Sequence, residues 1–266
     1  MTSSRVRRIL AIAITAVLGF SPASHAACSH TLTIAHFDWP GPSSDPDLRK
    51  GFGLDRELLE SVLKIAGCKI KWKAVPVKQS LADIEHGVVD GTVGASYTPA
   101  RARYAAFTKP YRSEKVVMFM RKSDAQAFHP KALSDLVGAG YRIGVTDGAW
   151  YGSDFAHLKA DNPDFAGALM LSHDPRIRFQ WLADGKVDIA FADLYYGYHY
   201  LLVHGLADRI VAHPFVINED PVHFMFSRRT VTEADIRTIN AAIGTLKAKP
   251  EYTEILARYS PPALAP

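Results

Sequence analysis

Apolar and polar positions along the 266 residues alternate between a strand period and a helix period. Thr31–Phe37 is a short apolar-rich run that predicts a strand, and residues 38–50 are a Pro/Gly/Ser/Asp-rich loop. Leu54, Leu58, Val62 and Ile65 recur at helical spacing, with Gly67 as the stop. Residues 69–75 predict a second strand. Ser80 with Asp83 predicts a capping-box start for a short helix ending at Gly87, and Val88–Gly94 a third strand. Strand and helix in alternation argue for a parallel α/β architecture.

Part of this plan recurs. Residues 81–94 and 179–193 both read as helix, Gly, Val-Asp and strand, with Gly87 and Gly185 98 positions apart. Taken as a repeat rather than a coincidence, it predicts two similar α/β lobes, each presenting the carboxyl ends of its strands, where ligands bind in open α/β sheets. Near the C-terminus Thr232 and Asp235 predict the cap of a helix whose Ile236, Ile239, Ile243 and Leu246 share a face. Pro250 breaks it, Tyr252, Ile255, Leu256 and Tyr259 form a second stripe, and residues 261–266 read as a frayed tail.

The N-terminus follows a different pattern. Arg5, Arg7 and Arg8 precede an apolar run from Ile9 to Phe20, and Ser24-His25-Ala26 carries small residues at the −3 and −1 positions of a cleavage site. Residues 1–26 therefore read as a secretory signal, whose apolar core of about 12 residues is too short to span a bilayer. His25-Ala26-Ala27-Cys28 lacks the aliphatic residue of a lipid-attachment site. The composition, 48% hydrophobic and 22% charged, is globular, with a formal charge of +4. Removal of residues 1–26 leaves 28 Lys+Arg against 27 Asp+Glu, a net +1 that gives no argument for nucleic acid. The expected destination is a soluble compartment after export, which the resemblance given below makes the periplasm. In an oxidising compartment the two cysteines, Cys28 and Cys68, favour a disulfide, with two free thiols as the alternative. Each stands just before a strand-like run, and neighbouring parallel strands would bring them together.

Most catalytic signatures are absent: no Gly-rich phosphate loop, CxxC, HExxH or GxSxG occurs. The eleven His show no metal-ligand spacing, so neither metal nor cofactor is expected. The informative segment is Ser96-Tyr97-Thr98-Pro99-Ala100-Arg101, followed by Phe107-Thr108-Lys109-Pro110-Tyr111. It resembles the signature of the periplasmic solute-binding protein family 3, the polar amino-acid receptors of ABC transporters. Gly51–Asp55 with the following helix, Leu133–Leu136 through Gly144–Gly148, Gly185–Asp193 and the terminal Ile255–Tyr259 stripe extend the resemblance over nearly all the mature chain.

The resemblance implies a two-lobed periplasmic binding protein fold (type II), its ligand cleft between lobes joined by two crossover strands. These are placed near Glu114–Met120 and His213–Asp220, with lobe 1 at 27–116 and 219–266 and lobe 2 at 117–218. It implies that Arg101 holds a ligand carboxylate through its guanidinium fork. Ser96 would donate to the same group, and Asp193, from the opposite lobe, would receive an ammonium. By spacing alone Arg101 reads equally as a solvated charge at a helix start and Asp193 as a strand-end cap. Thr98, Trp39, Ala149 and Trp150 complete the expected set. Gly148-Ala149-Trp150 stands where the family often carries Gly-Thr-Thr or Gly-Ser-Thr, Ala100 replaces a usual acid, and Phe37 lies near the place of an Asp in basic-amino-acid receptors. With Tyr195, Tyr196, Tyr198 and Tyr200, the Trp residues could form an aromatic wall or simply pack in the core. The implied function is a monomeric, non-enzymatic receptor that takes a small carboxylate-bearing or zwitterionic ligand to a membrane ABC permease. The alternatives are an enzyme like the cyclohexadienyl dehydratases of this fold, with Asp193 or Asp147 as general acid, and an accessory or sensory module for a periplasmic protein partner.

Overall fold

A computed structural model describes residues 27–36 and 53–261. The expected signal (1–26), the loop bearing Trp39 and Phe37, and the end of the tail lie outside the described residues. In chain order the elements are β1 (Leu32–His36), α1 (Leu54–Ala66), β2 (Ile70–Ala74), α2 (Val77–His86), β3 (Gly91–Ser96), α3 (Pro99–Ala102), β4 (Ala105–Phe107) and β5 (Arg112–Arg121). There follow α4 (Lys122–Ala125), a 3-10 turn (Leu133–Leu136), β6 (Ile143–Thr146), α5 (Ser153–Asp161), α6 (Pro163–Ala168), β7 (Leu169–Ser172), α7 (Ile177–Ala183) and β8 (Ile189–Asp193). Last come α8 (Leu194–Val203), β9 (Ile210–Ser227), α9 (Glu233–Lys247) and α10 (Pro250–Tyr259).

The strands join in the order β2-β1-β3-β9-β5-β8-β6-β7, with β4 paired to β9. β1, β2 and β3 are mutually parallel, as are β6, β7 and β8. β5 and β9 run antiparallel to each other between the two parallel sets, with register shifts on either side of Val117. They are the crossovers, and the fold is two-lobed.

Each lobe has its own core. In the first, Leu32 and Ile34 pack against Leu58 and Leu59 of α1, Phe224 and Phe226 of β9, and Ile239 and Ile243 of α9. In the second, Phe119 and Ala190 pack against Phe179, Leu182 and Tyr200 on one side, while Met118 and Phe191 pack against Phe155 and Phe165 on the other. Burying each such side chain is worth roughly 1.5–3 kcal/mol. Cys28 and Cys68 form the expected disulfide, Cα atoms 5.0 Å apart, because β1 and β2 pair in parallel from Leu32 opposite Ile70. Closing this loop of 40 residues contributes about 4 kcal/mol in the chain-entropy description.

The repeat is architectural. Gly87 (φ 73°) and Gly185 (φ 71°) both turn the chain out of a helix in the left-handed conformation. The Asp three residues on then ties in a neighbouring strand: Asp90 accepts from the Thr33 N–H at 2.6 Å, and Asp188 from the Arg142 N–H at 3.0 Å. Thr232 and Asp235 form the expected capping box. Two local expectations are corrected. The second helix starts at Val77 after Pro76, and Ser80 lies inside it, donating to the Val77 carbonyl. Residues 88–90 are a bend, with Val88 exposed, and the third strand begins at Gly91, because Asp90 is spent on the β1 junction.

Candidate functional site

The carboxyl ends of β3 and β8 open onto a cavity of about 270 Å³, lined by both lobes, in which Arg101, Asp193, Ser96, Ala149 and Trp150 all take part. At its centre is a residue that the sequence reading did not single out. Arg112, fully buried on β5, donates through Nε and Nη2 to the two carboxylate oxygens of Asp55 at 2.6 and 2.9 Å, and through Nη1 to Asp193 at 3.2 Å. Asp55 stands in the first turn of α1, where the helix N-terminus favours a negative charge. Tyr111, from the Phe-x-x-Pro-Tyr segment, donates to Asp55 at 2.6 Å and accepts from the Gly94 N–H at 2.9 Å. That motif therefore locks α1 to β3 and β5 beneath the cavity. The two carboxylates raise the Arg112 pKa well above its ordinary value despite burial.

Two residues along the same strand, Glu114 faces the cavity. Burial, then the neighbouring Asp193 charge, push its carboxyl up to about 7, although Ser96 donates to it at 2.7 Å and Arg112 lies close. Glu114 is thus partly protonated at neutral pH. Asp193 is also raised, chiefly by burial, against the pull of Arg112.

Arg101 and Asp193 line one cavity, as expected, but neither waits unengaged. Asp193 pairs with Arg112 and caps α8 by accepting from the Tyr196 N–H at 3.0 Å, so the strand-end-cap reading of this residue describes half its work. Arg101 is not a solvated charge: burial lowers its pKa, and its guanidinium donates to the Ser96 carbonyl at 3.0 Å and the Gly148 carbonyl at 3.1 Å. The second bond crosses between lobes. It is supported nearby by Lys78 and Asp147, paired at 3.0 Å. Gly148 (φ 80°) makes the close approach possible, since a Cβ there would lie 3.2 Å from the Lys78 Cα.

The other expected residues divide. Ser96 is hydrogen-bonded to Glu114. Thr98 is not among the lining residues: its hydroxyl accepts from the Arg101 N–H at 3.2 Å and so caps α3, holding Arg101 in place. Trp150 reaches Asp220 at 3.3 Å through its indole N–H. Tyr195 and Tyr196 line the cavity, whereas Tyr200 is core, stacked on Phe179 at 4.7 Å. Trp39 lies outside the described residues. Asp147 is unsuited to general-acid work: Lys78 holds its carboxyl below the usual value, and it does not line the cavity. Sequence reading missed Asp55, Arg112, Glu114, Arg178 and Thr146. The signal for two of them was available, since Arg112 and Glu114 alternate on one face at the polar start of a strand that continues as the apolar run Val116–Met120.

Comparison with known proteins agrees with this geometry. The family model described as bacterial extracellular solute-binding proteins, family 3, matches residues 43–262. The chain belongs to that family. No curated protein matches the sequence. Among solved structures, similar ones include the arginine-, lysine-, histidine-binding protein ArtJ from Geobacillus stearothermophilus, with 19% identity, TM-score 0.67, and coverage of 89% of this chain and 96% of that one. Another is the ancestral amino acid-binding protein AncCDT-1, a precursor of cyclohexadienyl dehydratase, at 18% identity, TM-score 0.68, and 86% and 95% coverage. A third is a histidine kinase sensor domain similar to periplasmic binding proteins, at 19% identity, TM-score 0.66, and 86% and 96% coverage. At these identities the likeness shows the fold. Among the described residues no helix is long and apolar enough to cross a membrane.

Proposed function

We propose that this chain is a periplasmic substrate-binding protein, exported by residues 1–26. It captures a small polar ligand, an amino acid or derivative bearing a carboxylate, for a membrane ABC permease. Lobe 1 (27–116 with 219–266) and lobe 2 (117–218) close over the ligand as a monomer, without cofactor or metal. The observation that carries the reading is the Arg101 guanidinium: it lines a two-lobed cavity, has no carboxylate within ion-pair distance among the described residues, and touches both lobes. A ligand carboxylate at Arg101 would supply the missing anion in a site shielded from water, and would favour the closed arrangement by its differential affinity. Asp193, from the other lobe, offers an acceptor for an ammonium group, and Glu114 lies on the Arg101 side of the cavity beside Ser96. The test is thermal-shift screening of small metabolites followed by calorimetry on the hit. Arg101→Ala should cost roughly 2–5 kcal/mol of affinity; unchanged affinity would remove Arg101 from the site.

A second reading rests on Glu114. A buried carboxyl with a pKa of about 7, facing a cavity, is suited to give or take a proton. It replaces Asp147 and stands beside Asp193 as a candidate acid of an enzymatic alternative. Turnover of prephenate or arogenate that disappears in Glu114→Gln would favour it, and no product at micromolar protein would dismiss it. An accessory or sensory role with a protein partner shares the ligand-binding site and differs only in what reads the closed form.

A further inference from the structure

The second lobe contributes a guanidinium of its own. Arg178, in the first turn of α7, is 4% exposed and lines the cavity. Its Nη1 donates to the Thr146 hydroxyl, its Nε is buried without a hydrogen-bond partner, and its Cζ lies over the rings of Phe179 and Tyr196 at 5.2 and 5.1 Å. Among the described residues no carboxylate comes within ion-pair distance of it. A buried cation whose only polar partner is a neutral hydroxyl is costly unless an anion joins it. The Thr146 hydroxyl, already accepting from Arg178, keeps its own proton to donate. The other cavity charges leave this deficit standing. Arg112 is matched by Asp55 and Asp193, and Arg56 pairs with Glu60 at 3.0 Å. Among the described residues Arg101 has only carbonyls, and Glu114 is partly neutral.

We propose that Arg178 and Thr146 form a second anion subsite, and that the ligand carries two oxyanion groups, one for Arg101 and one for Arg178. This rests on the receptor reading and narrows its ligand to dicarboxylates, acidic amino acids or phosphorylated small molecules. Arg178 discriminates against neutral side chains because an amide in that place leaves the guanidinium buried and unmatched.

The experiment titrates the full mature protein by calorimetry with matched probes: aspartate against asparagine, glutamate against glutamine, phosphoserine against serine, and succinate against its half-amide. At least one probe with two oxyanion groups should bind about 30-fold tighter than its counterpart with one. Arg178→Met should abolish that gap while sparing the counterpart, whereas Arg101→Ala should weaken both. The pair that shows the gap separates carboxylate from phosphate as the second group. Equal binding within every pair, an Arg178→Met protein that keeps the preference, or no probe with two oxyanion groups bound at all would overturn the subsite. None of these touches the receptor reading, which falls only if the wider metabolite screen finds no Arg101-dependent ligand. Far-ultraviolet circular dichroism and the melting curve of Arg178→Met confirm that it is folded, and Arg178→Lys, which keeps the charge, should retain part of the preference.

Discussion

Two buried guanidiniums lie against the same cavity and differ in what surrounds them. Arg112 is set among carboxylates: both oxygens of Asp55 and one of Asp193 accept from it, and Tyr111 steadies Asp55 from behind. Arg178 is set against a threonine hydroxyl and two aromatic rings. The first is a structural clasp joining α1, β5 and the start of α8, complete without a ligand. The second is incomplete. Burial alone therefore says little about what a charged side chain is for; the charge of its neighbours decides.

This contrast can be broken in three places. The largest effect should follow Arg112→Met, which leaves the largely buried Asp193 and the half-buried Asp55 without their shared cation. Urea denaturation should show a loss of about 3–5 kcal/mol, and a loss under about 1 kcal/mol would end the description of Arg112 as a clasp. Next is Glu114→Gln. The folded state holds this carboxyl at about 7 against 4.5 for an unperturbed one. The protein is therefore undisturbed by Glu114 below about pH 4.5 and loses stability as the pH rises from there through about 7, where the folded state must ionise a buried group. Gln has no such penalty. The variant should match the wild type near pH 4.5 and exceed it by up to about 3 kcal/mol at pH 8, since each unit is worth about 1.4 kcal/mol. A difference that stays flat between those pH values would show that Glu114 titrates normally. The smallest effect belongs to Arg178→Met. Because the cation is costly to bury unmatched, its removal should lower the stability of the ligand-free protein by no more than about 1 kcal/mol, and any larger change should be a gain. A loss as large as that for Arg112→Met would mean that Arg178, too, is a structural clasp.

What could be read early and what could not divides along a physical line. Gly67 ending α1, Gly87 and Gly185 turning into strands, and the Thr232/Asp235 box depend on a few consecutive residues, so their chemistry shows in the chain. The disulfide was legible because parallel neighbours place the starts of β1 and β2 side by side. The misplaced start of α2 came from the same reasoning applied too locally: Ser80 and Asp83 have the spacing of a box, but Val77 to Gln79 already form the helix, and Asp83 serves Gln79 at 2.6 Å instead. Arg101 and Asp193 were found as cavity residues through a resemblance, since nothing in their immediate neighbours distinguishes a ligand contact from a cap.

The chain itself determined the alternation that builds two α/β lobes, the glycine turns, the caps, the cysteine pair and the near-neutral charge left once residues 1–26 are set aside. These are local or nearest-strand properties, decided by backbone conformation and the period of apolar residues. Tertiary structure alone decided which charges are matched. Asp55 meets Arg112 across 57 positions, Arg112 meets Asp193 across 81, and Arg178 finds Thr146 and, among the described residues, no carboxylate. The strength of an ion pair depends on distance and on water excluded by residues far away in the chain, and neither exists until the lobes have folded.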